Sequence, residues 1–450
     1  MQRILLHDSR SGELQPLRPR DPGRVGIYTC GPTVYSRIHI GNARPFVVFS
    51  LLKRFFAHEG FQTTLVINVT DVNDKIYDAA RAQGRPSEAL AKEMTDLYFA
   101  DTDALGLGRP DHEPLASETM GPIVDYIGTL IDAEHAYESA GDVFFRVRSD
   151  PGYGSLSHRN IQDMDQGESV EGTERKDDPL DFALWKAHKP GEDTSWESPW
   201  GPGRPGWHIE CSAMAEDALG VDFDIHGGGS DLVFPHHENE AAQTRAARGS
   251  ELARIWMHNG MIQFTGEKMA KSVGNIAPLH EVIERYGRDT VVMYLASGHY
   301  RQPLAFSGAA LEQAKANVSR IREAARRLSP GESPHDLDEL RDRFFAALAR
   351  DFNTPQALAV LNEWIREAAS PVYGDAPGGS HLREMLGVLG LGSLLDASAQ
   401  APADVEELAS RRELARAERD FAAADRLRDE ITALGWEVRD DPTGFELLPL

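Results

Sequence analysis

The sequence predicts an α/β fold, with a parallel sheet of Rossmann type interrupted by an insertion and followed by a helical second half. Three observations carry this. Short apolar runs alternate with helical periodicity near the start, and a Pro/Gly/Trp-rich stretch breaks that rhythm in the middle. From Ala309 onward the pattern is almost entirely helical. The 450 residues suggest about three domains at roughly 150 residues each.

Val25-Gly26-Ile27-Tyr28-Thr29 reads as a short buried strand. A helical pattern runs from Ala43 to Glu59, with Pro45 in the first turn and Gly60 as a stop. Phe61 to Val69 is again strand-like. Strand, helix and strand with a glycine-bearing loop before the helix make a βαβ unit, which opens many nucleotide-binding sheets and also serves enzymes that bind no nucleotide. Residues 112–206 read as an insertion, with a strand at Val143–Val147 and a loop from Lys189 to Gly206. The sheet is expected to resume near Cys211 and to end around Trp256 to Phe264.

Further on, Thr354 reads as a helix cap and Pro355 as the first helical residue. Pro371–Ser380 and Gly392–Asp404 read as connections. The last helix carries Leu414, Ala417, Phe421, Ala424, Leu427, Ile431 and Leu434 at spacings of three and four, a stripe expected to pack in a core. Gly435 ends it, and Val438–Leu447 reads as two short strands around Asp441-Pro442-Thr443-Gly444. The expected division is 1–111 and 207–308 for the two halves of the sheet domain, 112–206 for the insertion, 309–396 for a helical bundle and 397–450 for a small terminal domain.

The chain has 47 Lys plus Arg against 71 Asp plus Glu, a formal net charge of −24. That excludes a broadly cationic nucleic-acid surface and leaves only local cationic contacts. No apolar run approaches the roughly 18 residues of a membrane span, and the N-terminus lacks an apolar signal core, so the chain reads as intracellular. Its two cysteines, Cys30 and Cys211, are not expected to form a disulfide in a reducing cytosol.

Four constellations carry chemistry. His39-Ile40-Gly41-Asn42 precedes a helix, whose N-terminus offers free N–H groups and a positive dipole end suited to phosphate, with Gly41 leaving room for close approach. Lys268-Met269-Ala270-Lys271-Ser272 places two lysines three apart in a glycine-flanked loop, a clamp for polyphosphate. Neither loop follows the P-loop pattern. Asp224-Ile225-His226-Gly227-Gly228-Gly229-Ser230-Asp231 leaves room for a ligand against the backbone, with Asp231 as an acceptor for ribose hydroxyls. In Pro235-His236-His237-Glu238-Asn239-Glu240, a histidine and a glutamate four apart share a helical face. With Cys30 and Cys211 they make a plausible tetrahedral zinc shell. Spacing leaves open the choice of His236 or His237 and of Glu240 or Glu238.

In this order, the sets resemble the class I aminoacyl-tRNA synthetases, and in detail the cysteinyl-tRNA synthetase family. The resemblance rests on Tyr28–Arg44, Val69–Lys75, Pro205–Met214, Asp224–Glu240 and Trp256–Asn275, and extends to Asp351-Phe352-Asn353-Thr354-Pro355-Gln356-Ala357-Leu358. It covers nearly the whole length. It implies a Rossmann-type catalytic domain with a connective insertion, then a helical tRNA-binding bundle and a small anticodon-recognition domain. It assigns zinc to Cys30, Cys211, His236 and Glu240, and the cysteine pocket to Gly31, Thr70 and Trp207 with His226 close by. ATP and Mg2+ would lie between His39–Asn42 and Lys268–Ser272, with Asp231 at the ribose. Two residues depart from the usual pattern: Asn42 stands for the second histidine of the class motif, and Ala270 for a serine.

The implied reaction has two steps. The cysteine carboxylate attacks the α-phosphorus of ATP and expels pyrophosphate, and a terminal ribose hydroxyl of cysteine tRNA then attacks the adenylate. The resemblance also implies a cytoplasmic monomer. Two alternatives remain: a mycothiol-type ligase with the same cysteine-activating core and an amino-sugar acceptor, and a non-catalytic zinc-containing RNA-binding paralogue. Arg320, Arg322, Arg326 and Arg327 form a loose basic flank that is a candidate for RNA contact.

Overall fold

The computed structural model describes residues 2–161, 173–264, 277–395, 403–441 and 444–449. A hairpin of β1 (Leu5–Asp8) and β2 (Glu13–Pro16) opens the fold. Strand β3 (Arg24–Thr29) enters a parallel sheet, crosses over through α1 (Ile40–His58) and returns as β4 (Gln62–Ile67). Helix α1 starts before the apolar periodicity does, because His39 and Asn42 close a capping box. His39 Nδ1 accepts from the Gly41 N–H at 3.0 Å, and Asn42 Oδ1 accepts from the His39 N–H at 3.1 Å. Its Phe46, Phe49, Leu52 and Phe56 are all buried, since the helix runs between the sheet and the helices that follow.

Helices α2 (Asp74–Gln83), α3 (Ser87–Asp103) and α4 (Met120–Asp132) lead into an antiparallel sheet. It is formed by β5 (Ala136–Ser139), β6 (Asp142–Phe145), β7 (Phe182–Ala187) and β8 (Gly203–Pro205), in that spatial order. Val143, Phe145, Phe182 and Trp185 pack there with Ile123 and Ile127 of α4 and with Ile209. Ile209 belongs to the next helix, α5 (Trp207–Leu219). This corrects the expectation that the sheet resumes near Cys211, which sits inside α5. Ile209-Glu210-Cys211-Ser212-Ala213 alternates apolar and polar residues as a half-buried strand does, but all of Ile209–Ala215 is buried, Glu210 and Ser212 included, so the alternation marks no exposed face.

The parallel sheet resumes with β9 (Phe223–Gly229), crosses through α6 (Glu238–Arg248) and ends in β10 (Ala253–Asn259). The order is β10-β9-β3-β4, all parallel. From β3 the chain winds toward β4, and from β9 it winds the opposite way toward β10. Reversal of winding between β3 and β9 opens a crevice above their C-terminal ends, where ligands of such sheets sit.

Strand β11 (Ile262–Phe264) pairs in parallel with β12 (Leu304–Phe306), with α7 (Leu279–Tyr286) and α8 (Arg288–Ser297) between them in sequence. The bundle continues as α9 (Gly308–Arg326), α10 (Asp338–Ala349), α11 (Thr354–Ala368) and α12 (Ser380–Val388). Asn353, and not Thr354, caps α11: its Oδ1 accepts from the Gln356 N–H at 3.0 Å.

At the C-terminus the expected single helix is two, α13 (Ala403–Ala417) and α14 (Phe421–Ala433). Arg419 breaks them at φ +63°, and Asp420 caps the second by accepting from the Ala423 N–H at 3.0 Å. The break rotates the stripe apart, leaving Leu414, Phe421 and Leu434 exposed while Ala424, Leu427 and Ile431 are buried. Strands β13 (Trp436–Asp441) and β14 (Gly444–Pro449) form the expected antiparallel hairpin. Among the described residues no helix is long and apolar enough to cross a membrane.

Candidate active site and metal centre

Every parallel strand delivers site residues at its C-terminal end. Cys30 and Gly31 follow β3, Asn68 and Thr70 follow β4, Asp231 follows β9, and Met261 follows β10. Cys211 comes from α5, Glu240 from the first turn of α6 and His236 from the turn before it. The fold thus gathers residues that lie far apart in sequence.

Cys30, Cys211, His236 and Glu240 are all buried, and one donor atom from each lies within 4.8 Å of the others. The two sulfurs are 3.5 Å apart, Cys30 Sγ is 3.5 Å from Glu240 Oε1, and His236 Nε2 is 3.1 Å from the same oxygen. A tetrahedral ion with bonds of about 2.0–2.3 Å separates its ligand atoms by about 3.3–3.8 Å, so the cluster has the dimensions of a coordination shell. Burial pushes the Cys30 thiol well up and the Cys211 thiol up. Two buried sulfurs beside a carboxylate ionise together only around a cation. Burial also holds His236 down at about 3, which keeps its imidazole neutral and its lone pair available.

Around this set lies a shell of histidines. His226 Nε2 is 2.8 Å from Glu240 Oε2, and its ring stacks on Trp256. His208 Nδ1 is 3.0 Å from His236 Nδ1. His237 Nδ1 is 2.7 Å from His258 Nε2, and His258 Nδ1 is 2.7 Å from Ser9 Oγ. A second grouping of Cys30, His226, His237 and Glu240 also falls within 4.8 Å. Glu238 is turned away, accepting from the Ser157 N–H at 2.7 Å. Of the two glutamates, Glu240 is the one that lies in both groupings.

A cavity of about 300 Å³ adjoins the cluster, and Cys30, Gly31, His39, Asn42, Trp207 and Asp231 are part of its wall. Trp207 stacks on His236 with ring centroids 4.2 Å apart. The Gly31 N–H donates to Asn68 Oδ1 at 2.9 Å, and a Cβ on Gly31 would lie 1.8 Å from the Asn68 carbonyl oxygen. Glycine is therefore required where the two strand ends meet. Buried Thr70 is bridged to Thr33 alongside. A larger cavity, about 780 Å³, lies between α2 and the antiparallel sheet, but its lining is internally ion-paired through Lys186–Asp74 and Arg175–Asp142. It lies away from the metal-ligand set.

Several sequence readings change in detail. The first amides of α1 are not free: Ile40 N–H donates to Ala277 O, Gly41 N–H to His39 Nδ1, and Asn42 N–H to His39 O. Gly41 makes room for the His39 ring, whose Cε1 would lie 2.7 Å from a Cβ there. Gly227 and Gly228 admit the Phe49 and His237 rings, leaving Gly229 as the glycine of that run that lines the cavity. His226 does not line the cavity; it stands behind Glu240. Lys268, Ala270, Lys271 and Ser272 lie outside the described residues. In the arginine flank, Arg322 pairs with Asp289 at 3.3 Å and Arg327 with Glu323 at 2.7 Å.

Sequence reasoning missed Asn68, His208 and His258. Its available signal was polar residues ending or flanking otherwise apolar runs, as in Leu65-Val66-Ile67-Asn68 and Trp256-Met257-His258-Asn259.

A family model described as the tRNA synthetases class I (C) catalytic domain matches residues 16–316. The chain belongs to the cysteinyl-tRNA synthetase family. Models of a DALR domain and of the cysteinyl-tRNA ligase anticodon binding domain match residues 343–393 and 398–446. A cysteine–tRNA ligase of Halorhodospira halophila is 44% identical over 457 residues, covering 98% of each chain. One of Symbiobacterium thermophilum is 43% identical over 465 residues with the same coverage. The fold is also that of Mycobacterium tuberculosis methionyl-tRNA synthetase in complex with methionyl-adenylate. That match has a TM-score of 0.60 at 16% identity, over 89% of this chain and 96% of that one. The chain is thus an ATP-dependent ligase that joins cysteine to tRNA, and the anticodon-binding match sets it apart from ligases with an amino-sugar acceptor.

Proposed function

We propose that Cys30, Cys211, His236 and Glu240 hold a zinc ion that selects the cysteine thiol, beside an ATP pocket built on His39–Asn42. The observation that carries the proposal is the enclosed set of two sulfurs, one nitrogen and one oxygen within 4.8 Å, next to the cavity. Zinc, when bound there, supplies a Lewis-acidic centre that prefers a soft thiolate to the neutral hydroxyl of serine. An apolar pocket separates such a pair poorly, which is why direct recognition of sulfur replaces a hydrolytic correction step.

The protein residues around that ion have definite tasks. Ligation through His236 Nε2 puts its remaining proton on Nδ1, where His208 Nδ1 accepts it. Gly31 and Trp207 form the amino-acid end of the cavity, with Thr70 buried outside its lining and bridged to Thr33, which does line it. His39 spends Nδ1 on the helix cap, so its proton sits on Nε2 and donates toward a phosphate oxygen. Asn42 likewise spends its oxygen on the cap and keeps Nδ2 as a donor. Asp231 accepts from the ribose hydroxyls, while Lys268, Lys271, Ser272 and a magnesium ion take up charge on the departing pyrophosphate. Cysteine tRNA is engaged by the bundle and the C-terminal domain. We further propose the division 1–111, 112–206, 207–308, 309–396 and 397–450, and a cytoplasmic monomer.

ATP–pyrophosphate exchange tests this reading. Exchange depends on cysteine, ignores serine, collapses when the metal is stripped and returns with added Zn2+. Full exchange by a metal-free Cys30→Ser variant overturns the zinc assignment. Lys271→Ala lowers exchange more than cysteine binding; equal losses in both make that lysine structural.

A further inference from the structure

Arg44 follows the His39–Asn42 turn in α1, and its side chain is fully buried. Its partners are backbone carbonyls. Nη1 donates to Gly260 O and, at 3.4 Å, to Met261 O, while Nη2 donates to His299 O at 3.1 Å. Among the described residues no carboxylate pairs with it, and its Nε has no hydrogen-bond partner. Burial pulls the guanidinium down to about 10, so it stays a cation at neutral pH.

A buried cation without a counter-ion is a poor device for stability. A hydrophobic side chain of similar volume fills such a site without the desolvation penalty. What the guanidinium does, and an apolar group cannot, is grip two segments at once. Its own helix presents His39, Gly41 and Asn42 to the cavity, and the gripped segment presents Asn259 and Met261 to it from the other side. Between those two residues, Gly260 is locked in place. Its N–H donates to Tyr300 O at 2.8 Å, and a Cβ there would lie 2.4 Å from the Gln302 carbonyl. Arg44 therefore ties a constrained strand end to the helix turn opposite.

We propose that Arg44 is a positioning residue for adenylate formation, setting the spacing between the two walls of the nucleotide pocket through the Gly260 and Met261 carbonyls. The inference rests on reading this cavity as the ATP site. Arg44 touches no substrate; it acts through the backbone it holds.

The test uses the full-length, metal-loaded chain with Arg44→Gln and Arg44→Lys variants. It follows kcat and the cysteine KM of ATP–pyrophosphate exchange, bound metal, and single-turnover transfer of preformed cysteinyl-adenylate to tRNA. A displacement of about 1 Å at a reacting centre costs about 10²-fold in rate. The expected result is a loss of that order in exchange kcat for Arg44→Gln and a smaller one for Arg44→Lys, which keeps the cation but reaches fewer carbonyls. Cysteine KM, metal content and transfer stay at the parent values, which a general structural role would not allow. If Arg44→Gln does not fold, the same split in Arg44→Lys carries the test. Unchanged exchange kcat overturns the proposal, as do losses of equal proportion in exchange, cysteine affinity and transfer. His39→Ala separates the two layers: if it too leaves exchange intact, the ATP reading of the cavity fails with the proposal. If His39→Ala loses exchange and Arg44→Gln does not, the role of Arg44 falls alone.

Discussion

His226 Nε2 lies 2.8 Å from Glu240 Oε2, with both side chains fully excluded from solvent. The contact orients a carboxylate that would otherwise be free to rotate among two sulfurs and a second histidine. Groups that orient metal ligands in this way typically contribute 10–100-fold in metal affinity, so if Glu240 ligates zinc as proposed, His226→Ala weakens zinc binding by about that range. Competition against a chromophoric chelator measures it. An unchanged affinity would show that packing alone fixes Glu240.

Acid sensitivity follows from the buried histidines. Burial holds His208 and His258, which are not among the proposed metal ligands, down at about 3, against an ordinary value near 6.5. From pH 6.5 down to 3 the unfolded chain binds protons at these positions while the folded chain does not. Stability is fully present above about pH 6.5 and falls on acidification, at roughly 1 kcal/mol per pH unit for each histidine. Thermal unfolding followed from pH 8 to pH 5 shows a plateau and then a decline. A Tm that stays level to pH 5 contradicts this account.

Asp351 joins three parts of the chain. It accepts from the His7 N–H at 3.0 Å, the Tyr300 hydroxyl at 2.8 Å and Arg301 Nε at 2.8 Å, and it does so at φ +64°. Asp351→Ala removes the carboxylate that accepts all three bonds and places alanine in the left-handed region, costing about 2–4 kcal/mol. Asp351→Asn keeps one acceptor oxygen and tolerates that backbone, so it loses less. Urea midpoints for the two variants check the order; equal midpoints would remove the backbone contribution.

At Gly227 a side chain has no room, since a Cβ would lie 2.1 Å from the Phe49 ring. Gly227→Ala forces α1 away from β9 and costs about 1–3 kcal/mol as overpacking. Because α1 carries His39 and Asn42, exchange activity falls as well. Gly227→Ala,Phe49→Leu, which makes space, recovers part of both losses. No recovery in the double variant would place the defect elsewhere.

The local grammar of the chain is legible in its residue pattern. The βαβ start, the insertion strand near Val143, the helical second half and the C-terminal hairpin follow from apolar periodicity and from where glycine and proline fall. So does the inventory of chemistry: two cysteines, a His-His-Glu-Asn-Glu run and a His-Ile-Gly-Asn turn are visible as residue types with ligand or phosphate capacity. Pattern misleads where burial erases it. The run around Cys211 is buried on all faces, with polar Glu210 and Ser212 among the apolar residues, so its alternation mimics a strand where the chain is helical. The terminal stripe is continuous in sequence across a break that one positive-φ residue, Arg419, imposes.

Tertiary structure decided how those residues meet. Cys30 and Cys211 are 181 positions apart, and only the winding of the chain from β3 through the insertion to α5 brings their sulfurs to 3.5 Å. It turned Glu238 away and Glu240 inward, stationed His226 behind the carboxylate, and buried the Arg44 cation between two cavity walls. The physical reason is that periodicity records which face of an element is buried, a local property. Coordination and hydrogen-bond distances depend on how separately folded elements pack, which no spacing along the chain encodes.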